Sequence, residues 1–194
     1  LSIKVIDGEK EAYYGGVAAL NLLHDDTFVT VDIGGGSTEF SFVKNGKIEK
    51  SISLNIGTVR IKELYFNKED IEGARKVILD NLKKIFDLGI EIPSKVVGIG
   101  GSIRAVSKII MEKNNYPLDI LHGYTYNVKN ENTLFNKIIN ARNNDDLKSI
   151  GVKKDRFDTI KEGTFIFKTI LDELNIKEVV SSGVGVREGV YLTD

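Results

Sequence analysis

Short β-branched apolar runs along the chain are punctuated by glycine, and the longer segments between them carry apolar residues at helical spacing. Residues 2–6 alternate and read as extended chain. Residues 9–23 predict a helix that buries Ala12, Val17, Ala18, Leu20 and Leu23, with a weak point at Gly15 and Gly16. Residues 28–33, 38–43 and 48–54 predict three strands. The second and third are joined by Lys44-Asn45-Gly46-Lys47, because Asn-Gly accepts the two positive φ values of a tight hairpin turn.

A helix follows, capped by Asn67, with Glu69 and Asp70 in its first turn and Gly89 closing it. Ile71, Ala74, Val77, Ile78, Leu82, Ile85 and Phe86 supply its apolar face. Residues 95–99 predict a strand and 102–113 a helix. The polar residues 127–132 read as a loop, and 134–141, 145–150 and 159–174 as helices. Residues 178–180 form the last strand, followed by a helix over 186–191. The order is β-β-β-α-β-α-β-α, with extra helices before the last strand. An antiparallel meander continuing into parallel βαβ units predicts an α/β fold of ribonuclease-H-like, actin type, present as one half-domain with inserted helices. Crossovers alone suit a doubly wound sheet equally well; the opening hairpin argues against that.

The 194 residues suffice for a domain with a real core. The absence of cysteine excludes disulfides, thiolate metal sites and a cysteine nucleophile. His24 and His122 are too few for a histidine-rich metal centre, and neither has ligand-like spacing. With 27 Lys+Arg against 28 Asp+Glu, there is no electrostatic case for DNA, RNA or an anionic membrane. No apolar run approaches the ~18 residues of a spanning helix, and no signal peptide is recognisable, so a cytoplasmic location is expected. The chain opens at Leu1 rather than Met, which suggests a piece of something longer.

Nine of the 19 glycines fall in three clusters, each after a predicted strand: Gly34, Gly35, Gly36; Gly98, Gly100, Gly101; and Gly183, Gly185, Gly189. Any one of them also has the plain reading of a tight turn. Three together point to backbone amides gathered around phosphate. Asp32 ends the strand before the first cluster, where a buried carboxylate needs a metal ion or hydrogen-bond donors. Ser37 and Thr38 add hydroxyls, and Glu39 returns a second acid to the same mouth. Two carboxylates beside a phosphate nest suit Mg²⁺ binding and water activation; the plain alternative is that Asp32 braces the turn and Glu39 is solvated. No G-x-x-x-x-G-K-[ST] loop occurs, and the segment Gly98-Ile99-Gly100-Gly101-Ser102 lacks the full dinucleotide spacing. That turn can instead direct the start of the following helix at an anion.

The stretch Asp32-Ile33-Gly34-Gly35-Gly36-Ser37-Thr38-Glu39 resembles the signature of the Ppx/GppA phosphatases, the exopolyphosphatases and guanosine pentaphosphate phosphohydrolases of the actin-like superfamily. Four further stretches are similar to family segments and run in family order. They are Val5 to Ala12, Leu54 to Arg60, Gly98 to Arg104, and Ser182 to Gly189. The resemblance implies a catalytic carboxylate at Glu11, which activates the attacking water, with Glu9 as the alternate. It implies that Asp32 and Glu39 handle metal and water. It also implies phosphate contacts from Gly34, Gly35, Gly36, Ser37, Thr38, Gly100, Gly101 and Ser102, with Arg60, and less so Arg187, as substrate contacts.

The resemblance further implies Mg²⁺ as cofactor and polyphosphate or guanosine pentaphosphate as substrate. Family members begin with another actin-like lobe. Residues 1–8 are therefore expected to be the tail of that lobe, and 9–194 the second lobe. The lobe alone is expected to hydrolyse little, and full-length relatives suggest a homodimer. The alternative function is a nucleotide- or alarmone-binding module that kept the fold without catalysis.

Overall fold

The computed structural model describes residues 5–193, so residues 2–4 of the expected opening run lie outside it; Val5 to Asp7 carry no helix or strand. Strands β1 (Phe28–Ile33), β2 (Thr38–Lys44) and β3 (Lys47–Leu54) form the antiparallel meander. Asn45 (φ 49°) and Gly46 (φ 74°) make its turn with the two positive φ values that Asn-Gly tolerates. Strand β4 (Lys95–Ile99) lies parallel to β1, and β6 (Glu178–Ser181) parallel to β4. A three-residue strand not expected from the sequence, β5 (Thr125–Asn127), adds to the edge in antiparallel sense. The sheet order β3-β2-β1-β4-β6-β5 is that of a ribonuclease-H-like, actin-type half-domain.

Strand periodicity divides the sheet into two faces. Val29, Val31, Phe40 and Phe42 join the larger core beneath helices α3 (Ile71–Phe86), α4 (Gly101–Lys113), α5 (Val128–Ile139) and α7 (Ile160–Glu173). On the opposite face, Phe28, Val43, Val97, Ile99 and Val180 pack with Ala19 of helix α1 (Gly8–Leu22). Five phenylalanines are fully buried, each contributing about 1.5–3 kcal/mol relative to exposure. Because residues two apart share a face, Thr30 and Asp32 follow Phe28 to the α1 side, and Glu39 and Ser41 precede Val43 there.

Hydrogen bonds therefore join α1 to the meander. Ser41 Oγ donates to the Ala12 carbonyl (2.7 Å) and accepts from Ser51 Oγ (2.6 Å), while Ser53 Oγ donates to Glu39 Oε1 (2.8 Å). Gly16 lets the helix come this close, since a Cβ there would lie 2.7 Å from Ser41 Cβ. The glycine pair that lowers helix propensity is thus the contact surface. Helix α8 (Val186–Tyr191) crosses α1 at Gly189, where a Cβ would strike the Tyr14 carbonyl.

Two expectations are corrected, and one helix is added. Helix α3 begins after Asp70, whose carboxylate accepts from the Gly73 amide (2.9 Å); Asn67 sits in a short 3-10 turn over 66–68, and Glu69 is left-handed (φ 57°). Residues 127–132 are not a loop, because the Asn127 side chain caps α5 by accepting from the Lys129 amide. An unforeseen helix, α2 (Thr58–Leu64), follows β3. The short helix α6 (Asn144–Ile150) falls where the sequence places it. Among the described residues, no helix is long and apolar enough to cross a membrane.

Candidate functional site

Asp32 is the penultimate residue of β1, which runs straight into the Gly34–Gly36 loop. Helix α2 grips that loop by its carbonyls: the Thr58 amide donates to Gly34 (3.0 Å), and the Val59 and Arg60 amides donate to Gly35 (2.9 and 3.2 Å). Gly57 permits the contact, because a Cβ there would overlap the Gly35 carbonyl group. With its carbonyls turned to α2, the loop keeps the amides of Gly35, Gly36 and Ser37 without a partner among the described residues. Successive free amides of this kind form an anion-binding concavity.

The second glycine turn closes on the same aspartate. Gly100 holds φ 88°, and a Cβ at this position would sit 2.5 Å from Asp32 Oδ1. Gly100 caps α4 without a side-chain hydrogen bond, so the helix presents uncapped amides and the positive end of its dipole beside Asp32. Asp32 thus sits beside the amides at the start of α4 and shortly precedes in sequence a second set at Gly35–Ser37, neither set having a partner among the described residues.

Glu39 lies directly across the β1–β2 register from Asp32 and is only 5% exposed. Burial first, then the Glu39 and Glu11 charges, push the Asp32 carboxyl up to about 6 against the pull of Arg104. Burial likewise raises the Glu39 carboxyl, with the Ser37 and Ser53 hydroxyls drawing it back and Glu11 adding to the rise. A cavity of about 240 Å³ gathers Glu11, Asp32 and Gly100 with Arg104, Gly183, Gly185, Arg187 and Glu188. Glu9 points elsewhere, into a groove with Tyr13 and Lys50.

Several expected phosphate contacts have other employment for their side chains. The buried Thr38 hydroxyl donates to the Ile56 carbonyl (2.5 Å). Ser102 faces α7, where a Cβ on Gly163 would meet it at 2.5 Å. Arg60 braces the first loop, its Nε donating to the Gly36 carbonyl (3.1 Å), and lies in a groove with Gly35, Gly36, Val59 and Glu63 rather than in the cavity that holds Glu11.

The third glycine cluster departs from expectation more clearly. Its amides are all taken: Ser182 by Gly98, Gly183 by His122, Val184 by Ser182 Oγ, and Gly185 by Glu188. These glycines serve close packing rather than anion binding. Arg104 went unassigned in the sequence, although it closes the turn; its Nε donates to the Ser182 carbonyl (2.8 Å) and its Nη2 to Val184 (3.3 Å). Its position four residues after Gly100, one helical turn on, was the available signal.

Among the described residues, no group of three His, Cys, Asp or Glu side chains could hold a metal. Mg²⁺ does not require one, since it binds through one or two carboxylates and completes its shell with phosphate and water. The paired acids Asp32 and Glu39, both with raised carboxyls, fit that donor set.

The sheet order, with a buried acid pair beside glycine turns of open amides, places the chain in the class of actin-type α/β half-domains. Comparison with known proteins sharpens this. A profile of the Ppx/GppA phosphatase family matches residues 1–194, and the chain belongs to that family. It is 32% identical over 183 residues to the bifunctional 3-dehydroquinate synthase/phosphatase of Fusobacterium nucleatum, an alignment covering 89% of this chain and 27% of that protein. The Ppx/GppA family member of Aquifex aeolicus superposes with a TM-score of 0.83 at 26% identity, covering 100% of this chain and 64% of that one. An exopolyphosphatase from Cytophaga hutchinsonii shares the fold, with a TM-score of 0.86 at 19% identity over 100% of this chain and 65% of that one. The chain therefore spans about a quarter of the curated relative and just under two thirds of these structures.

Proposed function

We propose that this chain supplies the acid-bearing side of the cleft of a phosphohydrolase that removes the terminal phosphate from inorganic polyphosphate or guanosine pentaphosphate. The observation that carries the reading is Asp32, packed against the Gly100 turn and followed directly by the Gly34–Gly36 loop, two turns whose amides have no partner among the described residues. The amides of Gly35, Gly36 and Ser37, with those opening α4, take the oxygens of the transferred phosphate and the charge that develops there. Glu11, which lines one cavity with Asp32 and Gly100, orients the attacking water and accepts its proton. Asp32 and Glu39 would hold Mg²⁺, which supplies charge neutralisation on the phosphate oxygens when bound. Arg187 lines the cavity with Glu11 and Asp32, whereas Arg60 lines the groove of Gly35 and Gly36 and commits its Nε to the Gly36 carbonyl. This makes Arg187 the better candidate for a substrate contact beside the acids and Arg60 a loop brace. The facing side of the cleft would come from the portion of the family members that this chain does not span.

The test is phosphate release from both substrates by the intact protein and its Glu11→Gln and Asp32→Asn variants. Each variant should lose about a hundredfold or more, the scale of a lost general base. Undiminished release by both would overturn the assignment.

A further inference from the structure

His122 plays no part in the chemistry above, yet it joins two segments that frame the cavity. Its Nδ1 accepts from the Gly183 amide (3.1 Å), and its Nε2 lies 2.7 Å from the Leu22 carbonyl. Gly183 opens the turn after β6 that lines the cavity with Glu11 and Asp32. Leu22 is the last residue of α1, the helix that carries Glu11 about 16 Å away at 1.5 Å per residue.

The backbone holds His122 in place independently of its ring. The Gly123 amide donates to the Ser181 carbonyl (2.9 Å), and the Ser181 amide to that of Tyr124 (2.7 Å), fixing the segment against the end of β6. The ring lies against Gly183 itself, where a Cβ would come 3.2 Å from His122 Cβ. Both ring nitrogens can be satisfied in one way only. An amide donor at Nδ1 requires a lone pair there, and a carbonyl at Nε2 requires a proton there.

We infer that His122 is a positioning residue, fixed as the neutral Nε2–H tautomer, which staples the Gly183 turn to the end of α1 and so sets the turn against Glu11. Arg104 holds the same turn through the Ser182 and Val184 carbonyls, so the turn is fixed from α4 on one side and from α1 on the other. Without the imidazole, the Gly183 amide loses its acceptor and the α4 tether remains. The importance of the spacing to turnover rests on the proposed reading of the cavity; the tautomer and the staple do not.

Nitrogen-15 NMR of the His122 ring in the intact protein at neutral pH should show a bare Nδ1 and a protonated Nε2. Amide exchange at Gly183 should quicken about tenfold or more in His122→Phe, as for a lost hydrogen bond. His122→Asn, whose side-chain oxygen can accept near the Nδ1 position, should restore much of that protection. Phosphate release should follow the same order, with kcat falling in His122→Phe and recovering in His122→Asn while KM changes little. A protonated Nδ1, or unaltered Gly183 exchange in a folded His122→Phe protein, would overturn the inference. If His122→Phe does not fold, the ring tautomer and Gly183 protection in His122→Asn decide it. Inactive wild-type protein would count against the proposed reaction and leave the exchange and tautomer results to decide the staple.

Discussion

Asp32 and Glu39 are register partners across β1 and β2, two acids facing each other on the α1 side of the sheet, with the Glu11 charge near both. Like charges held this way disfavour one another's ionisation, and burial adds to the cost.

One consequence concerns stability against pH. The Asp32 carboxyl is raised from 3.8 to about 6, so the fold favours its neutral form. Its stabilising contribution is fully present below about pH 4 and is lost as pH rises through about 6, by roughly 3 kcal/mol at 1.4 kcal/mol per unit. Asp32→Asn should therefore melt higher than the native protein at pH 8 in the presence of a chelator, with no gain at pH 4. Equal melting temperatures at pH 8 would show that the charge is compensated.

Thr38 separates structural from phosphate-binding hydroxyls. Thr38→Val should cost about 1–2 kcal/mol in denaturant melts, because the Ile56 carbonyl loses its buried donor, while turnover per folded molecule persists. Ser37→Ala, which keeps the loop amide and removes the hydroxyl bond to Glu39, should leave the melt near that of the native protein and act on turnover by raising the Glu39 carboxyl further. A Thr38→Val protein that is stable but inactive would return Thr38 to the phosphate.

Gly57→Ala should be among the more damaging single changes. Its Cβ would fall on the Gly35 backbone, which no rotamer change relieves, so either the loop or α2 must move. A loss of about 2–4 kcal/mol is expected, with phosphate release falling further than the unfolded fraction explains. Wild-type melting and turnover would disprove the grip of α2 on the loop.

Arg187 and Arg60 divide the two arginine motifs. Arg187→Ala should raise KM for phosphate substrates about tenfold, the scale of one charged contact of about 1.4 kcal/mol. Arg60→Ala should act chiefly on stability through the lost Gly36 bond. Steady-state kinetics with urea melts on both variants would expose the opposite pattern.

Strands β1, β4 and β6 were legible because each short β-branched run is followed by a glycine turn, and the β2–β3 hairpin because Asn-Gly has one easy conformation. Helix α2 was not, since Thr58, Val59 and Ile61 read equally well as strand, and its first amides find their carbonyls in a loop more than 20 residues earlier. Strand β5 is three residues long and exists through its pairing with β6. Residues 127–132 hide a helix because the polar side chains that suggest a loop include its own cap, Asn127, and the buried Glu131. At the site, the acids and the first two glycine turns stood out by type and spacing. The third turn looked identical in sequence. Only the partners of its amides, supplied by His122, Ser182 and Glu188, distinguish a packed turn from an open one.

The serine contacts under α1 have a bearing on how the carboxylates are spaced. A purely apolar interface tolerates sliding, since one methyl contact substitutes for another at little cost. The Ser41 hydroxyl on the Ala12 carbonyl does not, because the next carbonyl along the helix is rotated by about a quarter turn and displaced by about 1.5 Å. The joint acts as a detent: the helix either seats with Glu11 at one fixed height above the sheet or does not seat, and intermediate placements of that carboxylate are unfavourable.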